Sequence, residues 1–69
     1  MDLKEKILQL MNKEEFQTYY WKAVGVSEYL KENKEDIEIA LIELEDANKI
    51  ESIEEIESGS SQLIYSVKQ

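Results

Sequence analysis

Residues 35–48, EDIEIALIELEDAN, contain the pattern that decides the predicted fold. A helix turns by about 100° per residue, and at that angle the apolar side chains of this stretch gather on one face. The face consists of Ile37, Ala40, Leu41, Leu44 and Ala47. Asn48 tolerates the left-handed conformation that ends many helices. We therefore predict a helix over residues 35–47 whose apolar face lies in the core.

The opposite side of this helix carries two large apolar residues among acids. It holds Ile39, Ile42, Glu35 and Asp46, flanked by Glu38 and Glu43. One hypothesis is that these six residues form a partner-binding patch in which the isoleucines are buried on contact. The alternative is that the isoleucines are ordinary exposed side chains, or that the aromatic segment before them folds over them.

Two shorter helices are predicted before this one. Residues 2–12 place Leu3, Ile7, Leu8, Leu10 and Met11 on one arc, with Asp2 as the N-cap. Gly25 interrupts the pattern, after which Val26, Tyr29 and Leu30 recur at helical spacing. The second helix is therefore expected over residues 26–33, followed by a compact turn at Asn33 and Lys34.

Residues 16–24, FQTYYWKAV, hold four of the six aromatic residues and fit either a strand or a helix. A short strand at residues 20–24 is the favoured prediction. Phe16, Tyr19, Tyr20 and Trp21 could anchor an interface or stack on bases. However, a small chain needs large side chains in its core, so we expect at least two of the four to be buried.

The last twenty residues predict a β-hairpin. A strand over residues 50–56 is followed by the loop ESGSS at 57–61 and a strand over residues 62–67. Leu63, Tyr65 and Val67 alternate as expected for a half-buried strand. Ile50, Ile53 and Ile56 instead recur at every third position, which indicates a bulge in the first strand.

Composition limits the chemistry of the chain. Sixty-nine residues form one small domain, and there is no Cys and no His. Disulfides, thiolate or imidazole metal sites and His-based catalysis are therefore excluded. The acids lack the spacing of a calcium loop, and no Gly-rich phosphate cradle is present. We expect no enzyme activity, no cofactor, no metal and no small-molecule substrate.

Charge and apolar patterning bear on location and partners. The net charge is −8, with eight Lys, no Arg and sixteen acids. An acidic surface repels phosphate backbones and anionic lipid. No stretch is long and apolar enough for a membrane span, and the start lacks the features of a signal peptide. A cytoplasmic protein without membrane contact is the expectation.

The order of predicted elements resembles that of winged helix-turn-helix domains. Ile37, Ala40, Leu41 and Leu44 resemble the apolar core positions of that superfamily's third helix. Asn48-Lys49-Ile50 resembles the exit from that helix into the wing, where Gly often replaces Asn48. The resemblance implies an α+β fold in which residues 1–69 form one domain of three helices with a C-terminal β-hairpin wing.

The residues that would face DNA depart from the DNA-binding members of the superfamily. In those members the third helix enters the major groove. Here residues 34–49 hold six acids and two lysines, and residues 50–69 hold four acids and one lysine. Carboxylates repel phosphate, and no Arg is present for guanine contact.

Three functions therefore remain open. The preferred one is non-catalytic recognition of a protein partner or a second copy through Ile39 and Ile42, where the carboxylates select a basic partner. The resemblance links this function to transcription or its regulation. The second is a DNA-binding transcriptional regulator, possible as a dimer that presents Lys4, Lys13 and Lys31. The third is an acidic inhibitor that mimics DNA.

Overall fold

Three helices and a three-stranded antiparallel sheet make up the α+β architecture of residues 2–68. A computed structural model describes residues 2–68. In chain order the elements are α1 (Leu3–Met11), a 3-10 turn (Glu14–Phe16), β1 (Trp21–Lys22), α2 (Ala23–Leu30), α3 (Lys34–Asp46), β2 (Ile50–Glu57) and β3 (Ser60–Val67). The sheet order is β1-β3-β2. The prediction of an α+β fold with three helices and a C-terminal hairpin is confirmed at this level.

Side-chain and backbone caps fix the ends of α1 and α3. Oδ1 of Asp2 accepts a hydrogen bond from the Glu5 amide at 2.9 Å, as predicted. Asn33 accepts from the Glu35 amide at 2.8 Å, so α3 begins at Lys34. At the other end, Asn48 adopts φ +61°. The Asn48 and Lys49 amides then donate to the carbonyls of Glu45 and Leu44, which is the Schellman pattern.

The start and end of α2 differ from the prediction. The helix begins at Ala23, so Gly25 lies inside it and β1 is reduced to two residues. A helical glycine costs only about 1 kcal/mol, which the burial of the following Val26 offsets. The helix also ends three residues before Asn33, because Lys31 adopts φ +57° and the Glu32 amide donates to the Ser27 carbonyl.

The hairpin differs from the prediction in the length of its loop and in the absence of a bulge. Its loop has two residues, Ser58 and Gly59, not five, and both have positive φ. Such tight turns match the twist of the strands they join. The pairing then runs without interruption from Glu57–Ser60 to Ile50–Val67, so β2 has no bulge. The three-residue spacing instead places Ile53 on the sheet face opposite Ile50.

The core lies between the helices and one face of the sheet. It is formed by Ile7, Leu10, Met11, Trp21, Val26, Ile37, Ala40, Leu41, Leu44, Ile50, Tyr65 and Val67. The predicted apolar face of α3 is buried here, except for Ala47, which is exposed. This exception follows from geometry, because α3 ends at Asp46 and Ala47 is its C-cap.

The aromatic segment contributes fewer buried side chains than predicted. Of its four aromatic residues only Trp21 is buried, Phe16 is half-buried, and both tyrosines are exposed. Phe16, Tyr19, Trp21 and Tyr29 instead form an edge-to-face cluster with ring centroids 4.9 to 5.9 Å apart. This geometry is favourable for aromatic rings, so the exposed Tyr19 and Tyr29 still pack against the buried Trp21.

Candidate protein-interaction surface on α3

All six predicted partner-binding residues are exposed on α3. Ile39 is 58% exposed and Ile42 is 51% exposed, so the aromatic segment does not cover them. Glu35, Glu38, Glu43 and Asp46 are exposed around them. We call this set of six residues the α3 surface. Helical periodicity explains its position. Ile37, Leu41 and Leu44 lie on the side of α3 that is buried in the core, so the α3 surface lies on the opposite side.

Ile42 forms one wall of a groove between α3 and the hairpin. The groove has a volume of about 300 Å³. Val24 from the start of α2 and Leu63 from β3 supply further apolar walls, and both are exposed. Lys22 and Lys34 line the groove as well. Tyr65 and Glu38 also line it. Three segments distant in the chain therefore place apolar side chains around one concave site.

Ile39 lines a different depression. This one has a volume of about 330 Å³ and lies between α3 and the start of α1. Leu3 and Ala40 line it beside Ile39, together with the charged residues Asp2, Lys4, Asp36 and Glu43. The two isoleucines thus occupy one helical ridge with a depression on each side, rather than a flat patch. A partner that covers the ridge can place apolar side chains in both depressions.

Val24 and Leu63 are not among the six residues that the sequence predicts for partner binding. The sequence predicts Leu63 on the half-buried face of the hairpin and Val24 in a strand. Neither position carries a local signal of binding, because an exposed apolar residue is common on any protein surface. Only the packing of α2 and β3 against α3 brings them next to Ile42.

Ion pairs engage two of the four carboxylates. Lys4 lies 3.4 Å from Glu43, and Lys34 lies 3.7 Å from Glu38. These pairs are exposed, so they contribute little stability and open readily. Among residues 2–68, Glu35 and Asp46 form no ion pair. The α3 surface therefore keeps a negative charge that a basic partner can neutralise.

The three lysines of the DNA-binding alternative, Lys4, Lys13 and Lys31, have different surroundings. Lys4 is paired with Glu43, and the ammonium of Lys13 lies 5.6 Å from the centre of the Tyr29 ring. Lys6, on the same helix as Lys4, pairs with Glu32 at 2.9 Å. Of the three lysines named for that alternative, Lys31 is exposed at the end of α2 without an ion pair among residues 2–68.

A polar contact behind the α3 surface holds the helix to the hairpin. The Ser52 hydroxyl on β2 donates a hydrogen bond to the Glu45 carboxylate on α3. Ser52 is the register partner of Tyr65, whose side chain lines the Ile42 groove. Burial raises the pKa of the Tyr65 phenol, and the nearby carboxylates of Glu45 and Glu38 raise it further. Glu45 therefore links α3 to β2, the strand that pairs with the β3 wall of the groove.

Two kinds of site are not found in the described part of the chain. No three carboxylates among residues 2–68 lie together in a way that could hold a metal ion. None of the three described helices has the length and apolar character needed to cross a lipid bilayer.

Comparisons with known proteins add no relative to this description. No family model matches the sequence, and neither the curated proteins nor the solved structures include a significant match to it.

Proposed function

We propose that this chain is a non-catalytic protein-recognition domain of winged-helix type that binds a basic partner protein through the α3 surface. The observation that carries the proposal is the exposure of Ile39 and Ile42 on the side of α3 opposite its buried face. Two large isoleucines one turn apart lose apolar area from water when a partner covers them, and this loss favours binding.

The order of elements supports the winged-helix assignment. A helix, a short strand, two helices and a C-terminal hairpin follow one another, and the short first strand pairs with β3. The tight connection between α2 and α3 and the hairpin directly after α3 are features of helix-turn-helix domains with a wing. By this resemblance, a protein of the transcription apparatus is a suitable partner.

Charge supports a basic partner and argues against a second copy. Residues 34–49 hold six acids and two lysines. Two copies facing each other through α3 would bring these acids together, which opposes association. A partner with Lys and Arg around an apolar centre would meet the isoleucines and the carboxylates at once. The carboxylates would then increase the specificity and the association rate more than the affinity.

A pair of variants tests the proposal. Replacing both Ile39 and Ile42 by Lys should abolish capture of the partner from a lysate, whereas Tyr20→Lys, also at an exposed position but away from α3, should leave capture unchanged. Amide shifts measured with the purified partner should then map to residues 35–46. Equal capture by the double variant and the wild-type chain would remove the proposal.

A second measurement separates protein recognition from DNA binding. Short duplex DNA of mixed sequence is added to the labelled chain at low salt, where backbone-driven contacts are strongest. We expect no amide shifts, because the half of the chain that would face DNA is acidic. Shifts at residues 35–46 and in the hairpin turn that fade with added salt would make the chain a DNA-binding protein.

A further inference from the structure

Strand β2 forms an open edge of the sheet. The order β1-β3-β2 places β3 in the centre and leaves one side of β2 without a neighbouring strand among residues 2–68. The strand is eight residues long and pairs with β3 along its whole length without a bulge. A straight edge of this length presents a row of backbone donors and acceptors that another strand can use.

The register shows which backbone groups point outward. The Lys68 amide donates to the Lys49 carbonyl at 3.2 Å, which extends the β2–β3 ladder by one pair. Hydrogen-bonded pairs alternate with non-bonded pairs in an antiparallel ladder, so the odd-numbered residues of β2 bond to β3. The amides and carbonyls of Ser52, Glu54 and Ile56 therefore point to the open edge.

Exposed apolar and acidic side chains lie on both faces of β2, since Ile53 and Ile56 are three residues apart and point to opposite sides of the sheet. Ile53 is 48% exposed and Ile56 is 72% exposed, which is the largest exposure among the apolar side chains that remain at the surface. The strand also carries Glu51, Glu54, Glu55 and Glu57. Neither β2 nor β3 contains a cationic residue. The edge thus combines unpaired backbone groups, apolar contacts and an uncompensated negative charge.

We infer that the β2 edge binds an extended Lys- or Arg-rich segment of another protein as a fourth strand of the sheet. The charge of β2 decides the occupant. A second copy pairing through its own β2 would place glutamates opposite or diagonal to glutamates, and like charges on neighbouring strands are destabilising. A basic segment would bring ammonium or guanidinium groups to the same carboxylates, while its backbone bonds to Ser52, Glu54 and Ile56.

This interaction is separate from recognition by the α3 surface. It uses the backbone of β2 and the side chains of Ile53 and Ile56, none of which belongs to that surface. The inference therefore does not depend on the proposed function. The Ile39 and Ile42 double variant should bind a strand-forming peptide as well as the wild-type chain does.

The test uses a synthetic heptapeptide of alternating Lys and Val with blocked ends. It is added to the full chain at low salt, and amide shifts and amide hydrogen exchange are followed. We expect shifts centred on β2 and slower exchange at Ser52, Glu54 and Ile56, whose amides gain a partner. A peptide of the same length with Glu in place of Lys should not bind, because its charge matches that of β2.

Matched variants at one position separate the backbone contribution from the charge. Glu54→Pro removes an outward amide without removing a β2–β3 hydrogen bond, so the hairpin should persist while peptide affinity falls about tenfold or more. Glu54→Gln keeps the amide and should weaken binding only about two- to threefold, since one exposed charge contributes little. The amide spectrum of each free variant shows whether the fold is kept.

Ile53→Lys provides an independent variant if Glu54→Pro disturbs the hairpin. It retains every backbone amide but places a positive charge beside the bound strand, and it should also weaken binding. Undiminished binding by Glu54→Pro with an intact hairpin would overturn the inference. So would equal binding of the acidic peptide, peptide shifts confined to α3, or self-association of the chain through β2.

Discussion

The carboxylate of Glu45 on α3 accepts a hydrogen bond from the hydroxyl of Ser52 on β2. This contact joins the helix that carries the α3 surface to the strand that carries the open edge. Glu45 faces the sheet, whereas Glu35, Glu38, Glu43 and Asp46 are exposed around Ile39 and Ile42. The acids of α3 therefore have two roles, since one stabilises the packing of the helix and the others shape its exposed face.

Removal of the Ser52 hydroxyl tests the first of these roles. Ser52→Ala leaves the part-buried Glu45 carboxylate without this donor, so we expect a loss of about 1 kcal/mol in the free energy of unfolding. Urea unfolding at pH 7 measures it. Ser61→Ala, at an exposed position of β3, is the control and should change stability by less than about 0.5 kcal/mol. Equal effects of the two substitutions would show that the Ser52–Glu45 hydrogen bond does not contribute to the free energy of unfolding.

Tyr65 should make stability depend on pH in the alkaline range. Its folded-state pKa is raised above the ordinary value of 10.0, first by burial and then by Glu45 and Glu38. Above about pH 10 the unfolded phenol loses its proton while the folded phenol keeps it, so the unfolded state is favoured. The contribution of Tyr65 to the free energy of unfolding is therefore fully present below pH 10, and it is lost as the pH rises through the folded-state pKa.

Unfolding of the wild-type chain and of Tyr65→Phe measures this contribution. The difference in the free energy of unfolding between the two chains should be constant below pH 10, and it should shift in favour of Tyr65→Phe above it. A difference that does not change with pH up to 11.5 would contradict the raised pKa.

The two glycines of the chain should respond oppositely to alanine. Gly25 lies inside α2, and a Cβ there would meet Cε3 of Trp21 at 3.6 Å, an ordinary van der Waals distance. Gly25→Ala should therefore stabilise the chain by about 0.5 to 1 kcal/mol, because the unfolded chain loses conformational freedom. Thermal unfolding should show a higher midpoint, and a lower one would indicate that Trp21 cannot tolerate the methyl group.

Gly59 provides the contrasting case at the hairpin turn. Its φ of +84° favours glycine, although an added Cβ would have no neighbour within 4 Å in the described part of the chain. Gly59→Ala should destabilise the chain by about 1 kcal/mol through backbone strain alone. The same thermal measurement applies, and an unchanged midpoint would show that the turn adapts to another conformation.

Helical periodicity predicts α3 and places Ile39 and Ile42 opposite its core face. Local sequence patterns do not predict the start of α2, the length of the hairpin loop or the neighbours of Ile42, because these depend on tertiary packing. By local pattern Gly25 indicates a helix boundary, yet the chain accepts a glycine inside α2 because the neighbouring Val26 is buried. The loop at residues 57–61 looked long because its residues are all polar or glycine, and polarity does not distinguish a turn from a strand end exposed to water. Val24 and Leu63 could not be assigned to the surface near Ile42, since their proximity depends on how three elements pack.

Replacement of Ile39 and Ile42 tests whether α3 has a free surface. Both side chains are more than half exposed, so the double replacement by Ser should change the free energy of unfolding by less than about 1 kcal/mol. Leu41→Ala on the buried face of the same helix is the matched comparison and should cost about 2 to 5 kcal/mol. Urea unfolding of the three chains gives both values. A loss in the double variant comparable to that of Leu41→Ala would mean that the isoleucines belong to the core, and the α3 surface could not be a binding site.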